Sequence, residues 1–194
     1  MSLTIIILII LLCLYYVYNH VNDKMIYVVS DIDNNKYLVR DINDKQNAAN
    51  MLARIRERML KLSSYLYENR DKYKNNKKYI EQLQSKIYDS VIIESGNDTQ
   101  YTSYSVNKGQ QLVFCVRSRD LHRKDKIHSL NLIMYVVLHE MAHVACPEYG
   151  HTPLFKEIFE FLTLRAIEQN LYVRTDFKLH PEEYCGIQIT ETIV

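Results

Sequence analysis

Ser129-Leu130-Asn131-Leu132-Ile133-Met134-Tyr135-Val136-Val137-Leu138-His139-Glu140-Met141-Ala142-His143-Val144-Ala145-Cys146-Pro147 is the stretch on which the reading of this chain turns. It opens a strongly apolar helix that Pro147 must end at or just before Cys146, because proline lacks a backbone donor and clashes with the preceding turn. Within that helix His139 and His143 stand four residues apart, so both imidazoles share one face and can reach one metal ion. Glu140 projects beside the metal rather than onto it. From there it can take a proton from a polarised water and hand it to a leaving amine. Zinc used in this way needs a third protein ligand and an open fourth position. His151 is the prime candidate, since Pro147 and Gly150 break and turn the chain just before it. Glu148 and Glu157 are lesser candidates, and Cys146 would be a fourth ligand closing the site. The competing reading is a chance match of a five-residue pattern. Context weighs against it: two His and a Glu inside a helix destined for burial are costly without a partner.

The flanking segments supply the rest of a domain. Thr152-Pro153 reads as N-cap and first residue of a second amphipathic helix, to about Asn170. Upstream, residues 101–106 and 111–116 flank Asn107-Lys108-Gly109, a hairpin signal because Asn and Gly tolerate positive φ. Val91-Ile92-Ile93 reads as a further strand. Leu52, Ile55, Met59, Leu62 and Leu66 recur at +3 and +4, the apolar face of a helix over about 47–68, and Ile80, Leu83 and Ile87 mark a shorter one. Residues 25–30 and 36–39 are β-like around a turn-prone Asp31-Ile32-Asp33-Asn34-Asn35. The tail holds a turn over 181–186 and a β-like 187–194. With 194 residues, 47% hydrophobic, four Gly and three Pro, the chain is neither collagen-like nor disordered. Four Cys without CxxC spacing indicate neither a zinc ribbon nor a dense disulfide framework.

The pattern His139-Glu140-Met141-Ala142-His143 followed by Gly150-His151-Thr152-Pro153-Leu154-Phe155 resembles the core of SprT-like and WLM-type zinc metallopeptidases, and most of all the versions encoded by large DNA viruses. The resemblance is specific over residues 110–170. It implies an α+β, zincin-like fold: a mixed sheet with flanking helices, the motif on a core helix, and an edge strand that holds substrate above it. It also implies one zinc ion held by His139, His143 and His151, Glu140 as catalytic base, and Phe155 as a packing residue. Residues 111–116 are the expected edge strand, with an ordinary core strand as the alternative. Tyr149, His180 and Tyr184 are candidate oxyanion donors.

Two regions suggest location and partners. Residues 3–18 are uncharged and mostly Ile and Leu, closed by Tyr15, Tyr16 and Tyr18, which reads as an N-terminal transmembrane anchor over 1–21. A signal peptide or a buried helix are the alternatives. Net charge is only +1, but residues 45–88 carry eleven basic and four acidic side chains. That surface is a solvated face, a dock for anionic lipid or a grip on nucleic-acid phosphates. The organisation expected is anchor (1–21), β-like connector (22–44) and peptidase domain (45–194), with basic helices (45–88), strands (91–117) and motif and ligand helices (129–170). The function expected is a membrane-anchored zinc endopeptidase acting on protein or peptide substrates. The alternatives are a non-catalytic zinc-stabilised membrane adaptor and a soluble DNA-associated protease of the DNA–protein-crosslink repair type.

Overall fold

In the computed structural model, which describes residues 3–21, 24–96, 101–120, 122–123 and 125–194, the +3/+4 spacing becomes the buried face of α2 (Lys45–Glu68), with Leu52, Ile55, Met59, Leu62 and Leu66 all buried. The helix lies over β1 (Met25–Val29), β2 (Lys36–Arg40) and β3 (Val91–Glu94). Two short 3-10 turns (Arg70–Lys72, Lys74–Asn76) lead into α3 (Lys77–Ile87), which packs on α2 through Ile80, Leu83 and Ile87. With β4 (Tyr104–Val106) and β5 (Gln111–Phe114) the strands form one mixed sheet in the order β1-β2-β3-β5-β4. β2–β3 and β3–β5 pair in parallel, and β1–β2 and β4–β5 are antiparallel. The expected connector, 22–44, thus contributes two strands to that sheet through its described residues 24–44.

The apolar stretch forms α4 (Leu130–Ala145), capped by Ser129, whose Oγ accepts from the Leu132 N–H at 3.2 Å. Cys146 turns extended ahead of Pro147. The helix is buried along most of its length, between the sheet and α5 (Pro153–Glu168), whose Thr152 cap accepts from the Phe155 N–H at 3.3 Å. A hairpin of β6 (Glu182–Tyr184) and β7 (Ile187–Ile189) closes the chain, turning at Cys185 and Gly186, both at positive φ.

Two expectations are corrected here. Among the described residues no helix is long and apolar enough to cross a membrane. α1 (Leu3–Val21) does form. Its unbroken apolar part runs only from Ile5 to Leu14, which at about 1.5 Å per residue spans about half of a ~30 Å hydrocarbon core. Three tyrosines, Asn19 and His20 interrupt the part that follows, so neither the transmembrane anchor nor a single-pass membrane location is supported. From Thr4 to Tyr16 the side chains are exposed, which also removes the buried-helix alternative. Residues 1–2 of the expected anchor, 22–23 of the expected connector, 97–100 of the expected strand region, and residues 121 and 124 lie outside the described residues. Second, β5 is an interior strand, flanked by β3 and β4; the strand at the sheet edge is β4. Two side chains of the basic helices are committed within the fold. Arg56 donates to the Ser90 and Tyr88 carbonyls (3.2 and 3.0 Å), and Arg58 donates to the Leu171 carbonyl at 2.6 Å.

Cys115 and Cys185, 70 residues apart in sequence, form a disulfide with a Cα–Cα separation of 6.3 Å. It ties the end of β5 to the C-terminal hairpin. A loop of that length cross-linked in the unfolded chain is worth about 2–4 kcal/mol. Reductant is therefore expected to lower the thermal midpoint by roughly 5–15 °C, and an unchanged midpoint would mean that the sulfurs are not bonded.

Candidate metal centre

α4 and the turn that follows it bring His139, His143 and His151 together. Their Nε2 atoms form a near-regular triangle with edges of 3.2 Å (His139–His143), 3.2 Å (His143–His151) and 3.0 Å (His139–His151). Three such atoms cannot satisfy one another by hydrogen bonding. Each neutral imidazole nitrogen is either a donor or a lone pair, so at least one pair must face donor to donor or lone pair to lone pair. A cation resolves this. Tetrahedral zinc with Zn–N of about 2.0–2.1 Å sets its ligand nitrogens about 3.3–3.4 Å apart, within a few tenths of an ångström of the spacing here. The donor set therefore fits the ion expected.

The surroundings hold the imidazoles neutral and in place. Burial first, then the neighbouring His143 and His151, push the His139 pKa down to about 3. Burial, then His151 and Lys108, push His143 down to about 4. At neutral pH both rings keep a lone pair for a metal. Phe155, 2% exposed, lies beneath all three, stacked on His143 at 4.2 Å and edge-on to His139 and His151 at 5.0 and 4.9 Å. Its part is packing, and it fixes the planes of the three rings.

Glu140 is not among the groups that converge at the triangle. It is 4% exposed and, among the described residues, has no hydrogen-bond partner; burial alone pushes its carboxyl up to about 8. It sits where two cavities meet. One is an open cleft of about 390 Å³, bordered by the triad, Lys108, Tyr149 and the edge strand at Tyr104 and Ser105. The other, about 250 Å³, is an apolar recess walled by Tyr135, Val136, Tyr184, Ile187 and Ile189.

The remaining candidates fall into two groups. Tyr149 borders the cleft, 82% exposed, with its ring centroid 4.3 Å from the Lys108 ammonium. Tyr184 is buried beside Glu140 and its hydroxyl is shared with Ser103 Oγ at 2.7 Å. His180 is exposed and borders neither cavity. Cys146, Glu148 and Glu157 are absent from the cluster of metal-capable groups, which among the described residues holds the three histidines alone. Sequence reasoning missed Lys108 and Ser103. Asn107-Lys108-Gly109 registered only as a turn, and nothing local to it signals that the turn abuts the motif helix.

No protein-family model matches the chain, and no solved structure does. Three relatives come from large DNA viruses. Uncharacterized protein R325 of Acanthamoeba polyphaga mimivirus is 45% identical over 168 residues, 87% of this chain and 84% of that protein. Uncharacterized protein 136R of Invertebrate iridescent virus 6 is 35% identical over 83 residues, 43% of this chain and 44% of that protein. Uncharacterized protein 042R of Invertebrate iridescent virus 3 is 40% identical over 85 residues, 44% of this chain and 50% of that protein. The 45% identity with R325 over 87% of this chain and 84% of that protein reflects common descent: this chain belongs to the family of mimivirus protein R325.

Proposed function

We propose that the chain is a zinc-dependent endopeptidase. The observation that carries this reading is the convergence of three imidazole Nε2 atoms within 3.0–3.2 Å of one another, with a buried carboxylate alongside and a cleft bordered by a sheet edge in front. A bound zinc ion would supply Lewis acidity and make a hydroxide accessible near neutral pH. The chain's own residues account for the rest. A substrate in extended form pairs with the outer edge of β4 by main-chain hydrogen bonds, because the other edge of β4 is already bonded to β5. That role belongs to β4 rather than to 111–116. Glu140 takes the proton of the attacking water and delivers it to the amine that leaves. The apolar recess at Tyr135, Tyr184, Ile187 and Ile189 receives one substrate side chain next to the scissile bond. The intact Glu140 favours catalysis over a purely structural centre, which has no use for a desolvated carboxylate.

The test is zinc content of the purified full chain beside His139→Ala, with hydrolysis of a fluorogenic peptide library. One zinc per chain, lost in the variant, and hydrolysis abolished by a chelator and restored by zinc are expected. Hydrolysis insensitive to chelation, or a folded wild type without zinc, would overturn the reading. Zinc without hydrolysis of any library member would leave a structural centre instead.

A further inference from the structure

The third histidine stands on weak ground. His139 and His143 are fixed by α4, whereas His151 sits in the segment 147–151, exposed throughout. Among the described residues no backbone hydrogen bond ties that segment to the rest of the fold. The His151 ring rests on Phe155, but the main chain before it is held by a side chain, that of Lys108. Lys108 Nζ donates to the Cys146 carbonyl at 2.9 Å and to the Glu148 carbonyl, and lies 4.3 Å from the centroid of the Tyr149 ring. It thus grips three of the five residues that precede His151.

Lys108 is itself held rigidly. It occupies a tight turn between β4 and β5 in which Asn107, Lys108 and Gly109 all take positive φ (48°, 55° and 102°). Gly109 presses against α4 so closely that a Cβ there would fall 2.9 Å from both methyls of Val144. Gln82 of α3 caps the adjoining Val144 carbonyl at 2.9 Å, so the C-terminal end of the motif helix is clamped from two sides. An ammonium suits the position. It offers three donors to converging carbonyls, and its charge faces the negative end of a helix dipole.

We propose that Lys108 is a positioning residue for the third metal ligand: it staples the 146–149 segment to the edge-strand turn and so presents His151 to the imidazoles of α4. The inference rests on the zinc reading above. It also links substrate and metal, because the turn that holds the His151 segment ends the strand along which a peptide would lie. Orienting groups around metal ligands typically alter affinity by about 10–100-fold when removed.

The experiment uses the full chain and zinc alone, with affinity measured by competition against a chelating dye. Lys108→Met, which keeps the stem and removes the donors, is expected to bind zinc 10–100-fold more weakly. The thermal midpoint of the metal-free protein should stay close to wild type, since the segment is exposed. Lys108→Arg, with donors restored, should recover most of the affinity. In a His151→Ala background Lys108→Met should cause no further loss. Wild-type zinc affinity in Lys108→Met, or an equal loss in the His151→Ala background, would overturn the proposal while leaving the metal centre intact. A wild-type chain that binds no zinc would overturn the centre, and this inference with it.

Discussion

Glu140→Gln is expected to retain zinc and lose peptide hydrolysis by about 10²–10⁴-fold, the usual worth of a positioned proton-transfer group. The substitution is nearly isosteric, so the buried side chain keeps its volume beside His139 and Tyr184. What disappears is the ability to accept a proton. Among the described residues Glu140 is the carboxylate that lines both the cleft and the recess, and no other borders either of them. Metal content and far-UV spectrum should match wild type, which separates loss of chemistry from loss of fold. Hydrolysis within about tenfold of wild type would remove Glu140 from the proposed role. Loss of zinc together with activity would show that the carboxylate supports the centre rather than the reaction.

Arg117→Met is expected to destabilise the fold by about 3–5 kcal/mol, the cost of breaking a buried ion pair from one side. The Arg117 side chain is 1% exposed; its Nη1 lies 2.8 Å from Oε1 of Glu94, also 1% exposed, and its Nη2 lies 2.8 Å from Asp44 Oδ1. Glu94 Oε2 accepts from the Arg40 N–H at 2.8 Å, and Arg40 Nη1 meets Asp125 at 2.7 Å. The network joins β2, β3, the start of α2 and the loop after β5. Methionine fills the volume but leaves the Glu94 carboxylate without its cation. Burial already raises the Glu94 pKa, against the pull of Arg117 and Arg40. Removing Arg117 raises it further. The folded state then binds a proton more tightly than the unfolded chain, so the variant loses stability as pH rises above about 4.3, the unfolded value. Urea midpoints at acidic and at alkaline pH measure this. A deficit under about 1 kcal/mol, or one that shrinks with rising pH, would show that the pair is solvated rather than buried. Adding Glu94→Gln should recover part of the loss, because no buried charge then lacks a partner.

Arg117 also marks where the sequence stops being informative. Read along the chain it belongs to a basic run with Arg119, Arg123 and Lys126, and such runs are usually solvated. Its anionic partners lie 23 and 73 residues upstream, so only the assembled sheet reveals the pairing. The Cys115–Cys185 bond is of the same kind, joining two cysteines 70 residues apart without any motif spacing. The identity of the edge strand is hidden from the sequence for a related reason. Strand order depends on which strand returns beside which, and β5 resembles β4 locally while sitting inside it. The N-terminal helix failed differently. Its length is legible in the sequence, but a span is reached only by including tyrosines and flanking polar residues, and the apolar part from Ile5 to Leu14 cannot cover it.

The sequence by itself determined whatever rests on contacts within one or two turns. The helical face of Leu52, Ile55, Met59, Leu62 and Leu66 is of this kind. So are the Ser129 and Thr152 caps, the stop at Pro147, and above all the pairing of His139 with His143, since side chains four apart meet on any α-helix. Tertiary structure alone decided the rest: how closely His151 approaches that pair, which strand borders the cleft, and how Lys108 reaches the segment beside it. The physical reason is that a local period is written into neighbouring residues by backbone geometry. A contact across tens of residues exists only once apolar burial has brought distant elements together.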